Sequence, residues 1–552
     1  MSLPIGSTKS RTWPKGMWMV SVISVALLGA AWQVGCRARA ADAATEEGPA
    51  AAEAVTPDAP ELRTAEIWMG AYMGESKIGY QCISMFPDSV DAANKVDPLV
   101  LGKDAGTTTL KVIPDWYDGE QVQVVRATGI QRIQMMGRPV EQTTELNEYR
   151  TPDGQMLAMV FRMSSAGMSQ RMIATFDKDK IRYVQSTEQD EKTGEVDIPD
   201  GADFRDPEYG FKVQDPQPGQ TLVYHQFMPL LLRVVKFEAT VVGPEEIEMD
   251  GKKVRAIRYE HKSDIISQTS WVDEQGDPLK TVAAIMDLRF VREAPEVAKT
   301  MEGPGGYVPS PDLVAKLQLT VEKPIEKPRE VRRMQARISR IARESLILSD
   351  ERQTVTEVTK EADGTYSALY EVRSLDPPAT ALPLPIDEPA MADYLKPTTH
   401  IQCTDPRLVN QARQIVGDEK DSLKAAQAIA RWVSMTMRTR ADIGLVRSAL
   451  EVLQSKEGVC RDYAALYAGL ARAAGLPTRF VSGIVYWKSG FFYHAWDETY
   501  VGEWVAFDST VAPGYPVDAT HIKFSEGDVA DMVEMVPIIG ALKLDIRDVA
   551  PM

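Results

Sequence analysis

Residues 458–510 constrain the fold of this chain more than any other stretch. They contain GVCRDYAALYAGLARAAGLP, then FVSGIVYW, then FFYHAWDETYVGEWVAFDST. Tyr463, Leu466, Tyr467 and Leu470 fall at i, i+3, i+4 and i+7, the spacing of one apolar helix face. Gly475 and Pro477 end that helix. Runs 479–487, 491–501 and 504–508 are rich in β-branched and aromatic residues and read as strands. A helix feeding three short antiparallel strands predicts an α+β layer arrangement.

The same segment carries the chain's most distinctive chemistry. Cys460 stands at the helix start, His494 on the second strand and Asp508 at the end of the third. Cysteine is a strong nucleophile only as thiolate, and free backbone N–H groups in a first helical turn favour a negative charge. A neighbouring imidazolium favours it further. His494 and Asp508 lie symmetrically about position 501. If Val501 centres the turn between their strands, the two residues are directly opposed, with Cβ atoms about 4.5–5.5 Å apart on one face. A carboxylate would then hold one imidazole nitrogen while the other faces a thiol. Trp496 shares that face and is placed to cover the site. Glu498 shares it further along, and alternation turns Asp497 to the opposite face.

Upstream, 398–552 reads as one domain. Asp405 caps a helix with Pro406 at its first position, Leu408, Ala412, Ile415 and Val416 form its stripe, and Gly417 ends it. Leu423, Ala426, Ile429, Trp432 and Val433 form a second stripe after Asp421. A short third helix is expected at 448–453. Residues 376–397 form a stiff connector holding Pro377, Pro378, Pro383, Pro385, Pro389 and Pro397.

Residues 62–375 are β-rich. Strand texture recurs at 66–72, 77–85, 121–128, 156–163, 171–176, 252–260, 269–272, 279–286, 316–321, 334–341, 353–360 and 368–372. Asp153-Gly154, Asp250-Gly251 and Asp363-Gly364 are turn signals among them. Two or three antiparallel modules are expected.

Residues 1–36 read as a targeting segment. Lys9, Arg11 and Lys15 precede an uncharged run from Met17 to Gly35, which reaches the roughly 17–25 residues of a spanning helix. Three outcomes stay open: a retained anchor, cleavage near Ala38-Arg39-Ala40, or lipidation at Cys36. Residues 37–61, rich in Ala, Glu, Pro and Asp, read as a flexible linker. Each outcome places the bulk of the chain outside the cytoplasm: membrane-anchored in the cell envelope (periplasmic), secreted, or a lipoprotein.

The formal charge of −17, from 62 basic and 79 acidic residues, argues against a nucleic-acid partner. Cys36, Cys82, Cys403 and Cys460 have no metal-type spacing. Cys82 and Cys403 could form a bridge or remain buried thiols. His400 and Cys403 lack a second pair of ligands, and Asp405 reads as a helix cap. Neither a metal nor another cofactor is expected. Arg461 and Asp462 read as solvated helix-start charges, and His521 as a surface or loop histidine.

The stretch from about 405 to 510 resembles the transglutaminase-like superfamily, a papain-like fold. The matching pieces are SALEVL at 448–453, GVCRDYA at 458–464, LARAAGLP at 470–477, HAWDE at 494–498 and WVAFDST at 504–510. Ser509 stands where members commonly have Pro. The resemblance implies Cys460 as nucleophile, His494 as base and Asp508 as orienter. It implies a thioester acyl-enzyme formed from an amide, resolved by water or by an amine. It suggests the Cys460 N–H as one oxyanion donor, and Gln454 and Trp432 are weighed as the second. No calcium-type loop or four-cysteine zinc site accompanies it. The expected partner is a protein or peptide substrate, possibly in the cell envelope, with the membrane contacted through the N-terminal segment. The alternative is a non-catalytic envelope binding or scaffolding protein.

Overall fold

The computed structural model describes residues 62–551, except 95–111, 136, 188–189, 206–215, 275, 304, 441–445 and 512–515. The targeting run, Cys36 and the expected linker lie outside the described residues. No helix among the described residues is long and apolar enough to cross a membrane.

Fourteen strands, β1 (Ala65–Met73) to β14 (Leu288–Arg292), form one antiparallel sheet. β1 and β14 pair near its middle, with Ala71 opposite Phe290. One arm runs by sequence neighbours from β1 to β8 (Glu191–Asp197), the other from β14 back to β9 (Thr221–Met228). Strand alternation sorts the faces: Ile67, Met69, Ala71 and Met73 of β1 all enter the main apolar core. The Asp250-Gly251 signal makes a two-residue hairpin, with Met249 opposite Lys252 and φ of 49° and 71° at its corners. Those two left-handed residues are what a type I′ turn requires.

Downstream come β15 (Leu319–Thr320), β16 (Val331–Ile341), β17 (Gln353–Lys360) and β18 (Tyr366–Arg373). The strand expected at 316–321 is shorter than its texture suggests. Asp312 accepts hydrogen bonds from the Val314 and Ala315 N–H groups and commits Leu313–Lys316 to a helical turn.

The helices of the C-terminal part are α1 (Pro406–Val416), α2 (Ser422–Thr436), α3 (Ala449–Ser455) and α4 (Cys460–Ala473). Asp405 and Asp421 cap the first two, and Ser448 with Glu451 forms a capping box on the third. Leu408, Ile429, Val433, Leu450, Leu466 and Leu470 pack into one helical core with Phe507. The two-residue strands β19 (Arg438–Thr439) and β20 (Glu457–Gly458) pair in parallel just before α4. Then come β21 (Thr478–Trp487), β22 (Gly490–Tyr500), β23 (Trp504–Phe507), β24 (Ile522–Gly527) and β25 (Lys543–Pro551).

The C-terminal sheet runs β15-β22-β21-β24, with β23 also on β22. A second sheet runs β17-β18-β16-β25. Strands from before the Pro-rich connector therefore complete both sheets of the C-terminal part. The fold is α+β, strand-rich, with the helical layer C-terminal, as the sequence pattern predicts.

Candidate active site

Cys460 is the first residue of α4, and its side chain is buried. The backbone leading to it is tightly held. Arg440 N–H donates to Gly458 O at 2.9 Å, and Asp462 Oδ2 accepts from Val459 N–H at 2.8 Å. Gly458 permits that packing: a Cβ there would lie 2.5 Å from Asp462 Cβ and 2.7 Å from Arg447 Nη2.

The structure brings Cys460, His494 and Asp508 together. Cys460 lies close enough to His494 to favour its charged form. On the other side of the imidazole, Nε2 donates to Asp508 Oδ2 at 2.9 Å. The register differs from the sequence expectation. Tyr500 pairs with Trp504, so the turn centres on Gly502, whose φ is 114°. The shift of two residues places Asp508 diagonal to His494 instead of directly opposite. A two-residue offset preserves the face, and diagonal neighbours remain within reach of side chains of this length. Trp496 stacks on His494 at 6.2 Å between ring centroids and 23° between planes, which puts it where the alternation predicts.

The electrostatics follow from this packing. Burial works against a charge on His494, but Asp508 and Cys460 outweigh it and push the imidazole up to about 10. Burial alone would raise Asp508; His494 and His521 hold it well below the usual carboxylate range. Its Oδ1 accepts from Thr510 N–H at 2.9 Å and from Thr510 Oγ1 at 2.5 Å. Both carboxylate oxygens are thus bonded.

Two sequence expectations are corrected. Arg461 and Asp462 are not solvated: each is 1% exposed. Arg447 reaches Asp462 Oδ2 at 3.3 Å, and Arg461 Nε lies 3.8 Å from Oδ1. Burial lowers the Arg461 pKa, while Asp462 and Cys460 pull it the other way. His521 does lie in the loop before β24, but it is buried and not on the surface. It is 1% exposed, and its Nε2 lies 3.2 Å from Asp508 Oδ2. The signal for it was faint but present: Asp518-Ala519-Thr520 repeats the Asp-x-Thr pattern of 508–510 immediately before it.

Glu498 belongs to a separate charge network. Arg479 pairs with it at 2.6 Å, and Lys523 Nζ meets Glu498 and Glu526 at 3.0 and 2.7 Å and pairs with Asp350 as well. Asp350, Glu498 and Glu526 have the spacing of a cation site, and the Lys523 ammonium already sits among them. His494, Asp508 and His521 also cluster closely enough for a metal, but their facing atoms are engaged in hydrogen bonds. Asp497 points away from His494 as expected, fully buried with neither oxygen hydrogen-bonded. Burial raises its pKa well above the carboxylate range. Gln454 is exposed, and Trp432 packs against the helical core. Cys82 and Cys403 are buried free thiols. Asp405 caps α1, and Cys403 Sγ donates to Leu395 O at 3.4 Å.

Residues 409–509 match the family model of the transglutaminase-like superfamily. An uncharacterised protein of Mycobacterium leprae is 28% identical over 194 residues, covering 32% of this chain and 66% of its own length. An uncharacterised protein of Haemophilus influenzae is 34% identical over 96 residues, covering 17% of this chain and 26% of its own. The chain therefore spans less than two thirds of either relative. Among solved structures, a candidate cysteine protease from Cytophaga hutchinsonii is 17% identical with a TM-score of 0.29, over 40% of this chain and 86% of its own. A β-barrel-like protein of Brucella abortus is 11% identical with a TM-score of 0.27, over 42% of this chain and 95% of its own.

Proposed function

From a transglutaminase-like domain of the papain-like thiol-enzyme family, we propose that this chain is an exported enzyme acting on peptide or side-chain amides through Cys460. The observation that supports this best is the grouping of Cys460, His494 and Asp508, with His494 Nε2 and Asp508 Oδ2 2.9 Å apart. The Cys460 thiolate attacks the amide carbonyl carbon, the C–N bond breaks, and His494 gives its proton to the leaving amine. This leaves a thioester on Cys460. Water, deprotonated by His494, then attacks the thioester; the sulfur departs as thiolate and the acyl group leaves as a carboxylic acid. Asp508 holds the imidazole in the orientation both steps need. Hydrolysis is favoured over transfer to an amine because water is always at hand, whereas nothing identifies an acceptor-amine site.

The reading is tested by incubating the full chain with cell-envelope extract and searching Cys460 for an acyl adduct by mass spectrometry. The expected result is an adduct on Cys460 that is absent from Cys460→Ala. Equal peptide or amide turnover by the wild type and Cys460→Ala would instead support a non-catalytic envelope scaffold.

A further inference from the structure

His521 lies twelve positions beyond the segment that matches the family model. Its surroundings are nonetheless organised around Asp508. Nε2–H donates to Asp508 Oδ2 at 3.2 Å, the oxygen that also receives His494 Nε2 at 2.9 Å. On the other side of the ring, Nδ1 faces Asp518 Oδ2 at 3.4 Å. Asp518 is itself fixed: Arg329 meets Oδ2 at 2.6 Å, and Thr520 N–H donates to Oδ1 at 2.9 Å. These contacts and His521 hold Asp518 ionised, below the usual carboxylate range. The Trp496 indole packs edge-on to His521 at 5.3 Å and face-on to His494, so one ring spaces both histidines.

We propose that His521 is a positioning residue, which fixes Asp508 Oδ2 at the distance and angle that hold His494 toward Cys460. This rests on the reading of Cys460 as an activated thiol. Thr510 anchors only Oδ1. Without His521 the one bond left on Oδ2 is that of His494 itself, so carboxylate and imidazole can swing together about the anchored Oδ1. A donor on Oδ2 also draws charge from it and so weakens its pull on His494. Placement outweighs that loss, because a small displacement in a catalytic constellation costs far more than a shared hydrogen bond. Arg329 and Asp518 complete a brace that runs from the segment before β16 to the catalytic carboxylate.

The test uses the full chain and iodoacetamide, with the Cys460 alkylation rate followed from pH 5 to 10 and a thermal melt for each variant. In the wild type, Cys460 alkylates at pH 6 well ahead of a simple thiol. In His521→Phe the profile moves up by about one pH unit, a roughly tenfold slower reaction at pH 6. His521→Gln, which keeps an N–H donor, recovers part of the loss. Asp518→Asn leaves Asp508 and His521 in place and moves the profile the same way by less; it decides the matter if His521→Phe does not fold. Wild-type labelling no faster than a simple thiol overturns the activated-thiol reading and this one with it. A fast wild type with unmoved profiles in folded His521 and Asp518 variants overturns the positioning role alone.

Discussion

At the scale of single residues, the site is governed by how buried charges are matched. Asp508 is fully bonded and held ionised, whereas Asp497, on the other face of β22, is buried with no bond to either oxygen. The two acids should therefore respond in opposite ways. Asp508→Asn removes the charge that keeps His494 protonated and should lower turnover by about 10²- to 10⁴-fold, and should also lower Tm, since the buried charge stabilises the fold. Because His494 is pushed up to about 10, the imidazolium is present at neutral pH and is lost as pH rises through that value. Turnover should accordingly fall across pH 9–11 as the leaving amine loses its acid, and a decline centred near 6.5 would contradict this placement. Asp497 keeps its proton in the fold, while an unfolded chain releases it above about pH 4. Its burial thus costs stability increasingly as pH rises above that point. Asp497→Val should raise Tm, by more at pH 8 than at pH 4; an equal gain at both would show that charge is not the cause.

At the scale of elements, the helices and the antiparallel strand texture were legible because their signals are local. Asp405, Asp421 and Ser448 cap their helices as read, and the stripes of Leu408, Ile429 and Leu466 meet in one core. The β22–β23 register slipped by two because the left-handed corner falls at Gly502 and not at Val501. The pairing of His494 with Asp508 survived because two is the period of a strand. Burial of Arg461, Asp462 and His521 could not be read locally, since much of what encloses them comes from Arg447, Asp508 and Trp496. Lys523 on β24 is the clearest such case: its ammonium joins Glu498 of β22, Glu526 of its own strand and Asp350 before β17. Lys523→Met would leave those acids facing one another. A loss of about 3–5 kcal/mol in urea unfolding is expected, and a change under 1 kcal/mol would mean that the acids relax apart without penalty.

At the scale of the whole molecule, the C-terminal part is not closed on itself. β15 borders β22 through Leu319 opposite Phe491, and β16 takes β25 along its length, Ala336 opposite Ile546. A fragment of 398–552 would bare both edges and lose Arg329 from Asp518. It should aggregate or melt without cooperativity, whereas a fragment beginning at 313 should be monodisperse and melt in one step. Size-exclusion chromatography and scanning calorimetry on the two fragments distinguish the cases.

The pairing of β16 with β25 also sets an order of events. β16 is complete at Ile341, yet its partner begins only at Lys543. During synthesis β16 must wait with one edge open while some two hundred further residues follow it. Contacts so distant along the chain form late. Since β25 follows the loop that holds Asp518 and His521, the sheet closes only after every residue of the brace has emerged.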